Sequence, residues 1–202
     1  MAEPRPRLIL ASASPRRLDL LASAGLVPDA VEPTDIDESE IPGELPGPLA
    51  RRLALEKAAA HPGGDAFVLA ADTVVGVGRR ILPKAETEAQ VRACLALLSG
   101  RNHRVYTGIA LRTPDGELTA KLVETKVKFK RLSAPELESY IASGEWRGKA
   151  GGYGIQGRAG AYVISLIGSY TGVVGLPIHE TVNLLAGRGY PVLDVQNETK
   201  TP

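Results

Sequence analysis

The chain has 202 residues, with 24 Lys and Arg against 23 Asp and Glu and 44% of residues in the hydrophobic set, which suits one ordinary globular domain or two small lobes. Its one cysteine, Cys94, excludes an internal disulfide, and three scattered histidines with one thiol exclude the usual zinc sites. A formal net charge of +1 gives no global field to hold nucleic acid or membrane. The apolar stretch after the first seven residues is too short for a signal segment or a span, so the chain reads as intracellular.

Leu8 to Ala11 is a short apolar run that predicts a buried strand, closed by Ser12 to Pro15. Ser14 is the expected N-cap of a helix with Pro15 first, Leu18, Leu21 and Ala24 on one stripe, and Gly25 as its stop. Residues 35 to 47 are acidic and rich in Pro and Gly, which reads as a mobile loop, and Pro48 to Ala60 reads as an Ala-rich helix carrying Arg51, Arg52 and Lys57. Ala66 to Ala71 and Val74 to Val77 form a long apolar run interrupted by Asp72 and Thr73.

Thr87 to Gln90 is a capping box opening a helix with Val91, Cys94, Leu95 and Leu98 inward, which makes Cys94 a core residue. Residues 104 to 112, a turn at Pro114 to Gly116 and residues 117 to 132 predict a hairpin whose second strand alternates Val123, Thr125, Val127 and Phe129 with Glu124, Lys126, Lys128 and Lys130. Ser133 to Glu136 opens another helix. Seven glycines follow between Gly144 and Gly160, then a strand from Ala161 to Ile167, a turn over Gly168 to Gly172, and a helix from Pro177 with Val182, Leu184 and Leu185 inward. The alternation predicts an α/β fold: a mixed twisted sheet flanked by helices, in two lobes with a cleft between them.

A charged Asp72 in an apolar strand is costly unless it is paired, binds a metal, or sits where the strand ends at a cleft; a turn cap and a neutral, raised-pKa acid are the other readings. Ser12 to Arg17 places hydroxyls, free N–H groups and two guanidiniums at one helix N-terminus, where an anion reconciles cations with the helix dipole; solvated arginines on a capped surface helix are the bland alternative. The glycines around Lys149 and Gln156 fit a phosphate cradle only loosely and equally fit tight turns. Gly144 to Ala150 is one residue short of a Walker A spacing and lacks its hydroxyl, and no dinucleotide fingerprint follows a strand. The Lys126, Lys128 and Lys130 face lacks interleaved aromatics and reads as solvated. No nucleophile elbow is present, which argues against covalent acyl chemistry.

Taken in order, SASPRR (12–17), EKA (56–58), ADT (71–73), LSG (98–100), residues 103–108, KAG (149–151), YGIQG (153–157) and residues 168–177 resemble the Maf family of nucleoside triphosphate pyrophosphatases. The likeness runs from about Leu8 to Leu185. It implies one Maf/ITPase-like domain over 1–202, with tails at 1–6 and 193–202, that is cytoplasmic and usually a homodimer. It implies hydrolysis of a nucleoside triphosphate to the monophosphate and pyrophosphate with a divalent cation, Mg²⁺ or Mn²⁺, and neither nucleic acid nor membrane as partner.

Arg16, Thr73 and Gln156 match the branch of the family acting on dTTP and UTP, where the 7-methyl-GTP branch has Trp, Gln and Glu. The resemblance makes Asp72 the catalytic carboxylate, a general base on water, and places Asp72 and Glu38 at the metal, with Asp37 as the alternative to Glu38. Ser14, Arg16, Arg17, Lys57, Lys84 and Lys149 would bind the phosphates. Two positions depart from the family pattern, Ala85 where Pro is usual and Gly148 where Asp is usual. The alternative function is a nucleotide- or partner-binding regulator of septum formation that needs no turnover.

Overall fold

The computed structural model describes residues 5–192. The tail expected at 193–202 and the first four residues of that expected at 1–6 lie outside this range. The elements are β1 (Arg7–Leu10), α1 (Pro15–Ser23), β2 (Ala30–Val31), α2 (Pro46–Ala60), β3 (Ala66–Val77), β4 (Arg80–Leu82), β5 (Lys84–Ala85), α3 (Glu88–Leu98), β6 (Asn102–Arg112), β7 (Leu118–Phe129), α4 (Ala134–Ser143), β8 (Lys149–Ala150), a 3-10 turn (Arg158–Tyr162), β9 (Val163–Ile167), α5 (Tyr170–Val174) and α6 (Ile178–Ala186).

The main sheet runs β2-β1-β3-β6-β7-β9, with β4 also beside β3. β1 lies parallel to β2 and β3, and the remaining pairs are antiparallel. The expected mixed sheet flanked by helices is therefore present.

Alternation along β3 assigns its two faces. Ala66, Val68 and Ala70, then Val74, pack with Ala54, Ala58, Leu49, Ala50 and Leu53 of α2. On the other face Phe67, Leu69 and Ala71 join Leu21 of α1 and Leu185 of α6, while Val75 joins a second cluster containing Leu95, Leu98, Tyr140 and Trp146. One face of the sheet is thus covered by α2 and the other by two separate clusters. Each fully buried Leu, Val or Phe in them contributes roughly 1.5–3 kcal/mol.

α2 can lie this close because β6 has glycine beneath it. A Cβ on Gly108 would stand 2.2 Å from the Ala50 carbonyl oxygen. Helix ends follow the expected chemistry at α3, where the Thr87 hydroxyl accepts from the Gln90 N–H and the Gln90 amide oxygen accepts from the Thr87 N–H at 3.0 Å. At α4 the Glu136 carboxylate accepts from both the N–H and the hydroxyl of Ser133.

Several expectations need correction. α2 starts at Pro46, two residues earlier than read, because a proline suits the first turn of a helix. The loop before it is held, not free: Arg52 donates to Glu44 and to the Ser39 carbonyl. The strand expected from Ala161 begins at Val163, the glycine-rich approach having closed into the 3-10 turn. The turn expected over Gly168 to Gly172 is the start of α5, capped by the Ser169 hydroxyl accepting from the Gly172 N–H at 2.9 Å. Ser14 occupies the N-cap of α1, but its side chain makes no capping bond. The lysine face is wet as expected, with Lys126 and Lys128 exposed and Lys130 paired to Glu136 at 2.6 Å.

Candidate active site

β1 pairs with β3 only as far as Leu69, and β4 takes up the same edge of β3 from Val75. On this side residues 70–74 of β3 have no strand beside them, while β6 pairs the other side through the whole stretch. Asp72 and Thr73 sit in that opening. Adjacent strand residues point to opposite faces, yet a cleft of about 270 Å³ at the open edge is lined by both. Asp72 is therefore not at a strand end, as one reading had it; the cleft comes to the middle of the strand.

On the α2 face, buried Asp72 accepts from Lys57 Nζ at 2.6 Å, and the same ammonium lies 2.7 Å from Glu38 Oε1. The second Glu38 oxygen takes Lys84 Nζ at 2.5 Å. The four charges form one chain, Asp72 to Lys57 to Glu38 to Lys84. Partial burial would raise the Glu38 carboxyl, but its hydrogen bonds from Lys57 and Lys84 outweigh it and hold the group at about 2. Glu38, not Asp37, reaches the cleft; Asp37 accepts from the Ser39 N–H at 2.9 Å within its own loop.

On the other face Arg17 is the organising group. Its guanidinium donates to the Gly175 carbonyl at 2.8 Å, to the Ser12 hydroxyl at 2.9 Å and to Thr73 Oγ1 at 3.4 Å. Burial lowers its pKa while the nearby Asp72 charge opposes that shift. Ser12 Oγ also accepts from the Ser14 N–H at 3.3 Å, so one hydroxyl ties the end of β1 to the start of α1.

Lys149 enters from the paired strands β5 and β8, and its ammonium donates to the Glu145 carbonyl. Burial, then the charge of Arg16, pulls Lys149 below the usual lysine range. Gln156 stands exposed at the cleft rim.

The cleft is lined by all ten residues expected from the sequence: Ser14, Arg16, Arg17, Glu38, Lys57, Asp72, Thr73, Lys84, Lys149 and Gln156. Five cationic side chains face two carboxylates there, which suits a strongly anionic ligand. Sequence reasoning gave no role to Thr107 or the Gly175 carbonyl, and it read Ser12 as a hydroxyl for an anion, not as the partner of Arg17. A threonine inside an ordinary strand pattern carries no local signal, and a main-chain carbonyl carries none at all. The apolar lining from Val75, Val105, Val173, Val174 and Tyr153 was also unassigned.

Among the described residues no three His, Cys, Asp or Glu side chains converge as a metal cluster. Two carboxylates do converge, on Lys57 Nζ. That donor set suits a hard divalent cation that completes its shell with phosphate oxygens and water, the usual habit of Mg²⁺. No helix among the described residues is long and apolar enough to cross a membrane.

The chain is 78% identical over 192 residues to the dTTP/UTP pyrophosphatase of Maricaulis maris (strain MCS10), covering 95% of this chain and 92% of that protein. It is 66% identical over 188 residues to the dTTP/UTP pyrophosphatase of Caulobacter vibrioides (strain ATCC 19089 / CIP 103742 / CB 15), covering 92% and 97%. Among solved structures it is similar to a nucleoside-triphosphatase, dITP/XTP pyrophosphatase, from Mycobacterium abscessus, at 22% identity and a TM-score of 0.43 over 63% of this chain and 75% of that one. Residues 7–188 match the Maf-like protein family, and the chain belongs to it.

Proposed function

We propose that this chain hydrolyses nucleoside triphosphates, dTTP and UTP foremost, to the monophosphate and pyrophosphate by attack of water at the α-phosphorus. The observation that carries this reading is the buried Asp72 carboxylate, held on one oxygen by Lys57 at 2.6 Å in a cleft that also gathers Arg16, Arg17, Lys84 and Lys149. Its relatives' names support the substrate choice.

The cationic side chains bind the polyphosphate and neutralise charge that grows on its oxygens during transfer. Asp72 Oδ1 is occupied by Lys57, which leaves the other oxygen to accept a proton from the attacking water. Lys57 fixes the rotamer of Asp72. Arg17, locked to Ser12 and Gly175, holds the first turn of α1 against the cleft so that Ser14 and Arg16 face the ligand. Gln156 and Thr73 lie by the apolar lining, the part of the cleft suited to a base. A divalent cation, Mg²⁺ or Mn²⁺, belongs to the same proposal, held by Asp72 and Glu38; when bound it supplies charge neutralisation at the phosphates. The homodimer and the cytoplasmic location implied by the resemblance are carried with it.

The test is pyrophosphate release from dTTP, UTP, CTP, ATP, GTP and 7-methyl-GTP with Mg²⁺ or Mn²⁺, using wild type and Asp72→Asn. Selective release from dTTP and UTP that falls at least a hundredfold in the variant is expected. Binding of nucleotide without release from any of them would replace the enzyme by a regulatory binding module.

A further inference from the structure

Thr107 is a buried hydroxyl on β6, opposite Thr73 in the β3–β6 ladder, and the chemistry described above gives it no part. Its hydrogen-bond geometry fixes something about its neighbour. Thr107 Oγ1 lies 2.7 Å from the Gly172 carbonyl, which can only accept. The single hydroxyl hydrogen of Thr107 is therefore spent there.

Thr73 Oγ1 lies 3.1 Å from Thr107 Oγ1, and with the Thr107 hydrogen already placed, Thr73 must be the donor in that pair. Arg17, which has no lone pair to offer, donates to Thr73. The hydrogens run one way, from Arg17 to Thr73 to Thr107 to the Gly172 carbonyl. Thr73 has no hydrogen left for the cleft; it keeps one oxygen lone pair.

We infer that Thr107 is a positioning residue for base selection: by taking the Thr73 hydrogen, it makes the Thr73 hydroxyl an acceptor only toward the cleft. This rests on the reading of the cleft as a pyrimidine nucleotide site. An acceptor at that point matches the N3–H of uracil and thymine. It opposes the N3 lone pair of cytosine, which needs a donor. Reading a donor by a committed acceptor leaves the wrong base facing an unpaired polar group in a partly desolvated site, which is the strong form of discrimination. The same bonds anchor α5 and the carbonyls of Gly172 and Gly175 to the centre of the sheet, so the two sides of the network cannot reorient independently.

The inference is tested by equilibrium binding of UMP, N3-methylated UMP and CMP to the full chain, alongside pyrophosphate release from UTP and CTP. For wild type, UMP should bind at least tenfold more tightly than CMP or the N3-methylated form. Thr107→Val keeps the shape and removes the acceptor, so Thr73 regains a free hydrogen, and the preference for UMP over CMP should shrink about tenfold. Thr107→Ser should retain the wild-type ratio, which a loss of packing alone would not explain. A folded Thr107→Val with the wild-type UMP to CMP ratio, or a wild type that binds N3-methylated UMP as well as UMP, overturns the inference. Should Thr107→Val fail to fold, Thr107→Cys, a weaker acceptor of similar shape, carries the same comparison. Base-selective binding with no pyrophosphate release would refute the hydrolase reading while leaving the role of Thr107 standing; release from UTP and CTP at equal efficiency would do the reverse.

Discussion

The backbone N–H of Gly148 donates to the carbonyl of Ala85 at 2.9 Å. These are the two positions at which the chain departs from the Maf pattern, and they are bonded to each other. Ala85 also pairs with Lys149, and Lys84 with Ala150, so the short ribbon of β5 and β8 carries two of the cations of the cleft. Gly148 has a φ of 64°, a conformation that costs an L-residue about 1 kcal/mol or more. Gly148→Ala should lower stability by about that amount in urea denaturation. Its KM for a triphosphate should rise more than its kcat falls, because the ribbon places phosphate-binding groups and not the proton acceptor.

Lys57 separates two carboxylates, one of them buried. Removing one member of a buried ion pair typically costs about 3–5 kcal/mol, since the remaining charge is left without a partner. Lys57→Ala should show a loss of that order at neutral pH by chemical denaturation. Lys57→Met, which keeps the packing of the stem and removes the charge, should show much the same deficit. A Lys57→Met variant as stable as wild type would mean that the packing of α2, not the charge, is what Lys57 supplies.

His103 is buried between Phe129 and Tyr153, with Nε2 2.8 Å from the Tyr153 hydroxyl and Nδ1 without a hydrogen-bond partner among the described residues. Burial lowers it from 6.5 to about 4. A histidine lowered in the fold contributes stability that is fully present above its unfolded value and is lost as pH falls from about 6.5 through about 4. The loss over that window should be on the order of 3 kcal/mol. Urea denaturation at pH 7.5 and 5.0 should show a smaller decline for His103→Phe than for wild type. Equal declines would place the acid sensitivity elsewhere.

Gly108→Ala tests the seating of α2. A Cβ there meets main-chain atoms of Ala50 and Arg51, which cannot swing aside as a side-chain tip can. The helix must lift from the sheet, so a loss of about 3 kcal/mol or more is expected. Because Lys57 rides on that helix, the same variant should lose activity beyond its loss of folded protein.

Much of this fold is legible locally. Thr87 and Gln90 announce α3 by their own side chains, Pro114 to Gly116 turn the long hairpin, and the alternation of Thr125, Val127 and Phe129 with lysines gives the buried face of β7. The strands β2, β4, β5 and β8 span two or three residues each and exist only through distant partners, so no window of sequence contains their cause. α5 contains a glycine and two valines, all poor helix formers, and is secured by the Ser169 cap and by Thr107 beneath it. The site shows the same division. Asp72 stands out because a charge in an apolar strand demands a partner, while Thr107 and the Gly175 carbonyl become visible only when the chain has folded round them.

The gap at the edge of β3 has a further meaning for how such a chain can change. On the proposed reading, even-numbered positions of the strand serve hydrolysis with α2, and odd-numbered positions serve the choice of base with α1 and α5. One codon step separates the two duties, and they meet through Arg17, which bonds Thr73 and lies near the charge of Asp72. Replacements at Thr73 that keep this contact can then shift substrate preference with little change at the carboxylate next door. An insertion or deletion in β3, which would turn every following side chain to the opposite face, would abolish both at once.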